Sequence, residues 1–247
     1  MPWFVFGPRC EPTHAAATTS VIGITEPILD STLGTPVAGI ISARHFKEGD
    51  TVKKGEVVVE LDKALEDLEV ARRHIVLEPL QTDYEASKFL FEQPKSSVSK
   101  EIVEKKQAEY KVAQAEYELA KEQARKRLIT APFEGTITEL FLQVGESCQV
   151  QQPILRLVDT RQCYFICNVD ARTGYSLSPG QRVNLEIESG PAPQNVPATI
   201  SFVSPVVDAA SGLMKVKAIF DNPNPKIRPG VAGRMLLEET ADASERK

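Results

Sequence analysis

Few residues of this chain have the type and spacing that chemistry demands. The three histidines, His14, His45 and His74, are dispersed and show no metal pairing. The four cysteines, Cys10, Cys148, Cys163 and Cys167, match no zinc spacing. Cys163 and Cys167 lie four apart in a strand-like run, so both point to one face; they read as core or surface thiols, not as a redox pair. There is no glycine-rich phosphate loop and no Gly-x-Ser-x-Gly elbow. The paired acids Glu66-Asp67 and Glu238-Glu239 could do acid–base work, but they fall on exposed helix or tail positions, where solvation accounts for them. The expectation is a protein that is not an enzyme and that carries no metal or cofactor.

What remains is surface and architecture. The 247 residues are 42% hydrophobic and 26% charged, the balance of a globular chain with room for two or three small modules. The net charge of −5 excludes nucleic acid as the main partner, because phosphate binding needs a basic surface. The one basic cluster, Arg125-Lys126-Arg127, reads as the solvated end of a helix, where cations suit the dipole. The opening "MPWFVFGPRC" is too short for a signal-peptide core and has no basic region before it. No run of 18 apolar residues occurs, so no transmembrane helix is expected.

The organising feature is a repeat. "PVAGIISARHFKEGDTVKKGEVVVELD" starts at Pro36, and "PFEGTITELFLQVGESCQVQQPILRLV" starts at Pro132. Without gaps, Gly39 falls on Gly135, Ile41 on Ile137, Gly49 on Gly145 and Leu61 on Leu157, a constant offset of 96 (39 to 135). Each copy reads as short strands punctuated by glycine, with Gly49 and Gly145 each followed by an acid and a hydroxyl residue, the composition of a tight turn. All four glycines, Gly39, Gly49, Gly135 and Gly145, are expected to be structural turns. One copy cannot bury its own apolar face; two copies related by a pseudo-twofold can form a small sandwich.

Between the copies the period changes. Leu61, Leu68, Ile75, Thr82 and Phe89 are spaced by seven, as are Val103, Tyr110, Tyr117 and Ala124, with Ala64, Ala71, Ala113 and Ala120 between. That is heptad patterning for two helices. Pro94 in "QPKSSVS" stops the first, and either Ser97 or Ser99 can cap the second. Pro79 is expected to kink or interrupt the first helix. Two arms of about 30 residues, each roughly 45 Å long at 1.5 Å per residue, then form an antiparallel hairpin anchored in the two half-motifs. Phe89, in heptad register, is expected in the seam; Phe91, off it, is the better contact candidate.

After Asp159 strands return. Val183, Leu185 and Ile187 alternate with polar residues, Ile200 and Phe202 are expected on one face opposite Thr199 and Ser201, and Lys215 and Lys217 point outward. Turn signals such as Ser178-Pro179-Gly180 and Arg228-Pro229-Gly230 separate the runs, which suggests a small antiparallel barrel.

Together with "APFEGTI" (131–137), "SPVVDAASGLMKVKA" and "IRPG", these features resemble an HlyD-type membrane fusion protein, most similar to the periplasmic adaptors of resistance-nodulation-division efflux systems. The resemblance covers about residues 33–238. It implies a mainly β chain with a long α-helical hairpin. Residues 1–32 would be an N-terminal segment, partly disordered or an edge strand. Residues 33–62 and 129–158 would form a split biotinyl-lipoyl-like sandwich, the barrel-sandwich hybrid, with an inserted coiled-coil hairpin at 63–128. A C-terminal β-barrel at 159–238 and a tail at 239–247 would follow. It also implies a non-enzymatic adaptor in the periplasm, associated with the inner membrane, that links an inner-membrane transporter to an outer-membrane channel and self-associates as a trimer or hexamer. The channel-contacting tip would be Lys88, Phe91, Glu92, Ser96, Ser97 and Ser99. Many family members carry an arginine, a leucine and a serine where this chain has Lys88, Glu92 and Ser99, so an acid replaces an apolar knob.

Two alternatives stay open on sequence alone. The same fold could serve an ABC-type exporter. "ELDKA" (60–64) also resembles the segment around the lipoyl-lysine of acyltransferase domains, which would make the chain a carrier modified at Lys63.

Overall fold

The computed structural model describes residues 18–94, 98–190, 192–223 and 226–238. In chain order the elements are β1 (Thr18–Gly34), β2 (Gly39–Arg44), β3 (Thr51–Val52), β4 (Val57–Leu61), α1 (Ala64–Phe91), α2 (Lys100–Arg125), β5 (Leu128–Thr130), β6 (Gly135–Leu140), β7 (Ser147–Cys148), β8 (Pro153–Asp170), α3 (Ala171–Ser176), β9 (Arg182–Ile187), β10 (Gln194–Val203), β11 (Leu213–Asp221) and β12 (Ala232–Glu238). They divide into two compact units. One is residues 29–159; the other joins the chain up to residue 28 with the chain from residue 160 onward.

In the first unit the repeat becomes hydrogen bonding. The strands β2, β3 and β4 start 96 residues before β6, β7 and β8 respectively. Each half lends a short strand to the other: β3 pairs with β6, and β7 with β2. The exchange is reciprocal at the level of single bonds. Ile41 N donates to Glu146 O and Ile137 N to Asp50 O, each at 3.0 Å, while Gly49 N donates to Ile137 O at 2.8 Å and Gly145 N to Ile41 O at 2.9 Å. Even the irregularity repeats: β2–β4 shifts register between Ile41 and Ala43, and β6–β8 between Ile137 and Glu139. The strands enclose a core of Ile41, Val52, Val58, Leu61, Ile137, Cys148, Ile154 and Leu157, all buried. On the β1 side Asp30 is held by the Arg156 guanidinium at 2.6 and 2.9 Å, which lowers its carboxyl pKa from the ordinary value.

Gly49 and Gly145 are turn residues with φ of 90° and 92°. Gly39 and Gly135 are not turns, contrary to expectation; each is the first residue of a strand. Their missing Cβ serves close packing instead. At Gly135 it would lie 2.7 Å from the Val158 carbonyl oxygen, and at Gly39 2.7 Å from Arg127 Nη1. A third turn repeats as well. Gly55 N donates to Ala131 O and Gln151 N to Thr35 O, both at 2.8 Å. Gly55 has φ of 85°, and its mate Gln151, at 64°, is a glutamine in the left-handed region. That conformation costs an L-residue about 1–2 kcal/mol. Nothing lies within 4 Å of a Cβ built on Gly55, so Gly55→Ala is expected to cost about 1 kcal/mol by conformation alone, and Gln151→Gly to gain roughly 0.5 kcal/mol after the entropy of the added glycine. Urea unfolding of the two variants measures both signs.

The second unit is a barrel. Its strands run β1-β12-β9-β10-β11-β8, and β8 pairs in turn with β1, which closes the ring. Thr18–Ile24 of β1 pair antiparallel with Ala232–Glu238. Thr18–Ile24, which pair with β12 in a strand that also pairs with β8, are thus a strand of the barrel rather than a disordered segment. Residues 1–17 lie outside the described residues. Gly23 and Gly233 are register partners, and both lie against the fully buried Phe165 ring: a Cβ would sit 2.6 Å from it at Gly23 and 3.2 Å at Gly233. Cys163 and Cys167 point into this barrel core with Phe165 and Val169. Neither forms a disulfide among the described residues, and burial pushes the Cys167 thiol up to about 12. Phe202 departs from the simple alternation. A bulge between Ile200 and Phe202 resets the register, so Ile200 is buried and Phe202 exposed.

Candidate functional site

The helical hairpin is where this chain offers contact surface. α1 has 28 residues and α2 has 26, so they extend about 42 and 39 Å at 1.5 Å per residue. α1 is continuous through Pro79. The proline lies on the exposed side of the helix, where water can satisfy the carbonyl that loses its partner, which is why the helix is not interrupted. Ser99 is the N-cap of α2, its hydroxyl accepting from Ile102 N at 3.4 Å. α1 ends two residues after Lys88's neighbour Phe89, at Phe91, ahead of Pro94.

The seam of α2 matches the heptad pattern: Val103, Tyr110, Tyr117 and Ala124, with Ala113 and Ala120, are among its less exposed positions. The seam of α1 does not. Its less exposed positions are Glu66, Glu69, Val70, Arg73, Leu77, Leu80, Tyr84 and Ser87, and only Leu77 among them is buried. Polar and aromatic contacts join the helices. Arg73 pairs with Glu116 and with Glu69, whose carboxyl is held down to about 2 by hydrogen bonds from Arg72 and Arg73. Lys106 reaches Asp83 at 3.1 Å, which raises the ammonium's pKa. Tyr84 stacks on Tyr110 with ring centres 5.8 Å apart, and His74 meets Tyr117 at 5.2 Å.

The apolar heptad of α1 therefore faces outward. Leu68 is 68% exposed, Ile75 69% and Phe89 64%, and Leu65 is exposed beside them. Phe89, expected in the seam, is thus a surface residue. At the far end of α1 Phe89, Leu90 and Phe91 are exposed in succession. Leu90 escaped the sequence reading because it follows an in-register residue. Of the expected tip residues, Lys88, Phe91, Glu92 and Ser99 are all exposed at this end of the hairpin; Ser96 and Ser97 lie outside the described residues. Lys88 is in the last turn of α1, and Glu92 N donates to its carbonyl at 3.1 Å.

Among the described residues no group of three or more His, Cys, Asp or Glu could hold a metal ion. Lys63 stands at the N-cap of α1 with Nζ 3.7 Å from Asp67; it is not at the tip of a tight strand-to-strand turn, where a swinging carrier lysine belongs. No helix among the described residues is long and apolar enough to cross a membrane.

A two-fold repeated sandwich split by an antiparallel helical hairpin, in a chain that also forms a closed β-barrel, is the architecture of a membrane fusion protein. Residues 30–160, more than half of the chain, match the barrel-sandwich hybrid domain of RND membrane fusion proteins; the chain belongs to that family. It is 26% identical over 241 residues to the solvent efflux pump periplasmic linker SrpA of Pseudomonas putida, covering 90% of this chain and 61% of that protein. It is 28% identical over 221 residues to the multidrug resistance protein MexA of Pseudomonas aeruginosa, covering 82% of this chain and 56% of that one. The chain thus spans about three fifths of the length of these relatives. A crystal structure of a MacA–MexA chimeric protein containing the Pseudomonas aeruginosa MexA α-hairpin domain shares the fold, with a TM-score of 0.73 at 23% identity over 90% of this chain and 80% of the chimera.

Proposed function

We propose that this chain is a non-enzymatic adaptor of the HlyD type, in the periplasm at the inner membrane, that connects an inner-membrane efflux transporter of the RND class to an outer-membrane channel and supports export of small molecules. The observation that carries the reading is the hairpin. Two helices of about 40 Å leave the sandwich and return to it, stabilised by pairs within the hairpin and bearing exposed apolar side chains at its far end. Such a lever has reach and contact as its uses. Relatives named as periplasmic linkers of efflux pumps support it.

The adaptor works by self-association, as a trimer or hexamer, and the exposed stripe of α1 supports this. A second copy of the chain is the occupant that fits. On the flank of the hairpin Val76, Leu80, Ala108, Val112 and Ala113 line an apolar groove of about 430 Å³ that also includes Glu109 and Glu116. The stripe Leu68–Ile75 presents exposed apolar side chains, so apolar surface meets apolar surface.

A cysteine placed at Lys88, in a chain whose Cys10 is replaced by serine, tests the bridging role with a membrane-impermeant crosslinker in native envelopes. The expected result is a crosslink to an outer-membrane channel protein, with a transporter in the same complex. Recovery of the chain without either partner overturns the reading.

A further inference from the structure

The basic end of α2 is not simply solvated. Arg125 is, pairing with Glu122 on the exposed face, but Arg127 turns back into the root of the hairpin. Its Nε and Nη2 donate to Glu66 Oε1 at 3.1 and 2.6 Å, and its Nη1 donates to the Ala38 carbonyl at 2.9 Å. Both side chains are largely withdrawn from water, Arg127 being 23% exposed and Glu66 20%. One guanidinium thus joins the first turn of α1, the end of α2 and the chain entering β2.

We infer that Arg127 is the positioning residue of the hairpin: by bridging Glu66 and the Ala38 carbonyl it locks the angle at which the hairpin leaves the sandwich. Three observations converge on this. At the root the strands are joined by main-chain bonds within the sheet, Leu61 N donating to Arg127 O and Asp62 N to Ile40 O, each at 2.8 Å. The Arg127 side chain adds bonds outside that ladder, to Glu66 of α1 and to the Ala38 carbonyl. Gly39 is shaped to receive it, since a Cβ there would lie 2.7 Å from Nη1. The repeat supplies the third. Gly135, the mate of Gly39, needs its bare Cα for a backbone carbonyl, whereas Gly39 needs it for a side chain that belongs to the inserted hairpin. The lock is therefore an addition that serves the insertion. Leverage makes it matter: on an arm of about 40 Å, a rotation of 10° at the root moves the tip by roughly 7 Å.

The consequence for docking rests on the adaptor reading; the lock itself does not, and it is tested on the purified chain without partners. Spin labels on cysteines replacing Lys54 in the sandwich and Lys105 in α2, with Cys10 replaced by serine and the three buried thiols left in place, report the angle by pulsed electron resonance. A narrow distance distribution is expected for the parent. Arg127→Ala is expected to shift its mean by several Å or to double its width. Glu66→Gln, which keeps the shape, should do so to a lesser degree. Arg127→Lys should resemble the alanine variant, because an ammonium cannot hold two acceptors in fixed planar geometry. A control pair at Ala86 and Lys105, within the hairpin, should stay unchanged. An unaltered Lys54–Lys105 distribution in folded Arg127→Lys and Glu66→Gln overturns the proposal, as does a change of equal size in the control pair.

Discussion

Replacing Leu68 and Ile75 together by glutamate is expected to abolish the proposed self-association while leaving the hairpin folded. Both side chains are more than two-thirds exposed. Glutamate is as good a helix former as leucine and better than isoleucine. The hairpin itself should lose little, since its helices are joined by Leu77, the tyrosine stack and the Arg73 and Lys106 pairs on the opposite side. A contact between copies would lose much. Burying a leucine or isoleucine contributes about 1.5–3 kcal/mol, and an unpaired carboxylate at that place adds a desolvation cost. Two such changes weaken each contact by about 4 kcal/mol or more, close to a thousandfold at 1.4 kcal/mol per decade. Sedimentation velocity across a concentration series reads the effect, and circular dichroism checks the helices. A variant that sediments like the parent removes the stripe from the assembly surface.

How much of this was legible in the sequence follows from where each residue's partner lies. The repeat was visible because matched backbone geometry demands matched residue types: glycine at 49 and 145 for the left-handed turn, leucine at 61 and 157 for the core. The α2 seam was visible because alanines and tyrosines facing a neighbour recur every seven residues. The α1 seam was hidden for a physical reason. Its inward positions include Glu66 and Arg73, polar residues whose partners Arg127 and Glu116 lie far along the chain. Meanwhile the apolar series that a seam should have is presented outward. A period of seven tells that a helix has an apolar face, not which surface covers it.

Other misreadings share that origin. Gly39 and Gly135 look like turn glycines in a linear pattern, but their cause is a guanidinium and a carbonyl from distant segments. Phe202 follows the alternation until a bulge resets it. The role of Arg127 was the least accessible, because a run of three basic residues at a helix end is ordinary and only the fold brings Ala38 to it.

Leucine-to-alanine changes at 61 and at 157 should each cost a similar, large amount of stability. Each side chain is fully buried in the same core. Each stands opposite an isoleucine in equivalent register, Leu61 with Ile41 and Leu157 with Ile137. Removing a buried leucine side chain costs about 2–5 kcal/mol, the spread being set by how far the surroundings can collapse into the cavity. Since the pseudo-twofold gives the two sites the same surroundings, that spread should shrink here, and the two costs should agree within about 1 kcal/mol. Where they differ, Leu61→Ala should be the more costly. Leu61 N donates to Arg127 O, so a backbone shift at residue 61 also strains the hairpin root, whereas residue 157 lies within the long strand β8, which is braced by β6. The double variant should not be additive, because both cavities open into one core and neighbouring sites couple. Denaturant unfolding of the three variants decides it. Near-equal single costs with a non-additive pair mean that the two copies of the motif share one core across the hairpin insertion. A negligible cost at either position would mean that the repeat is a likeness of sequence without a shared core.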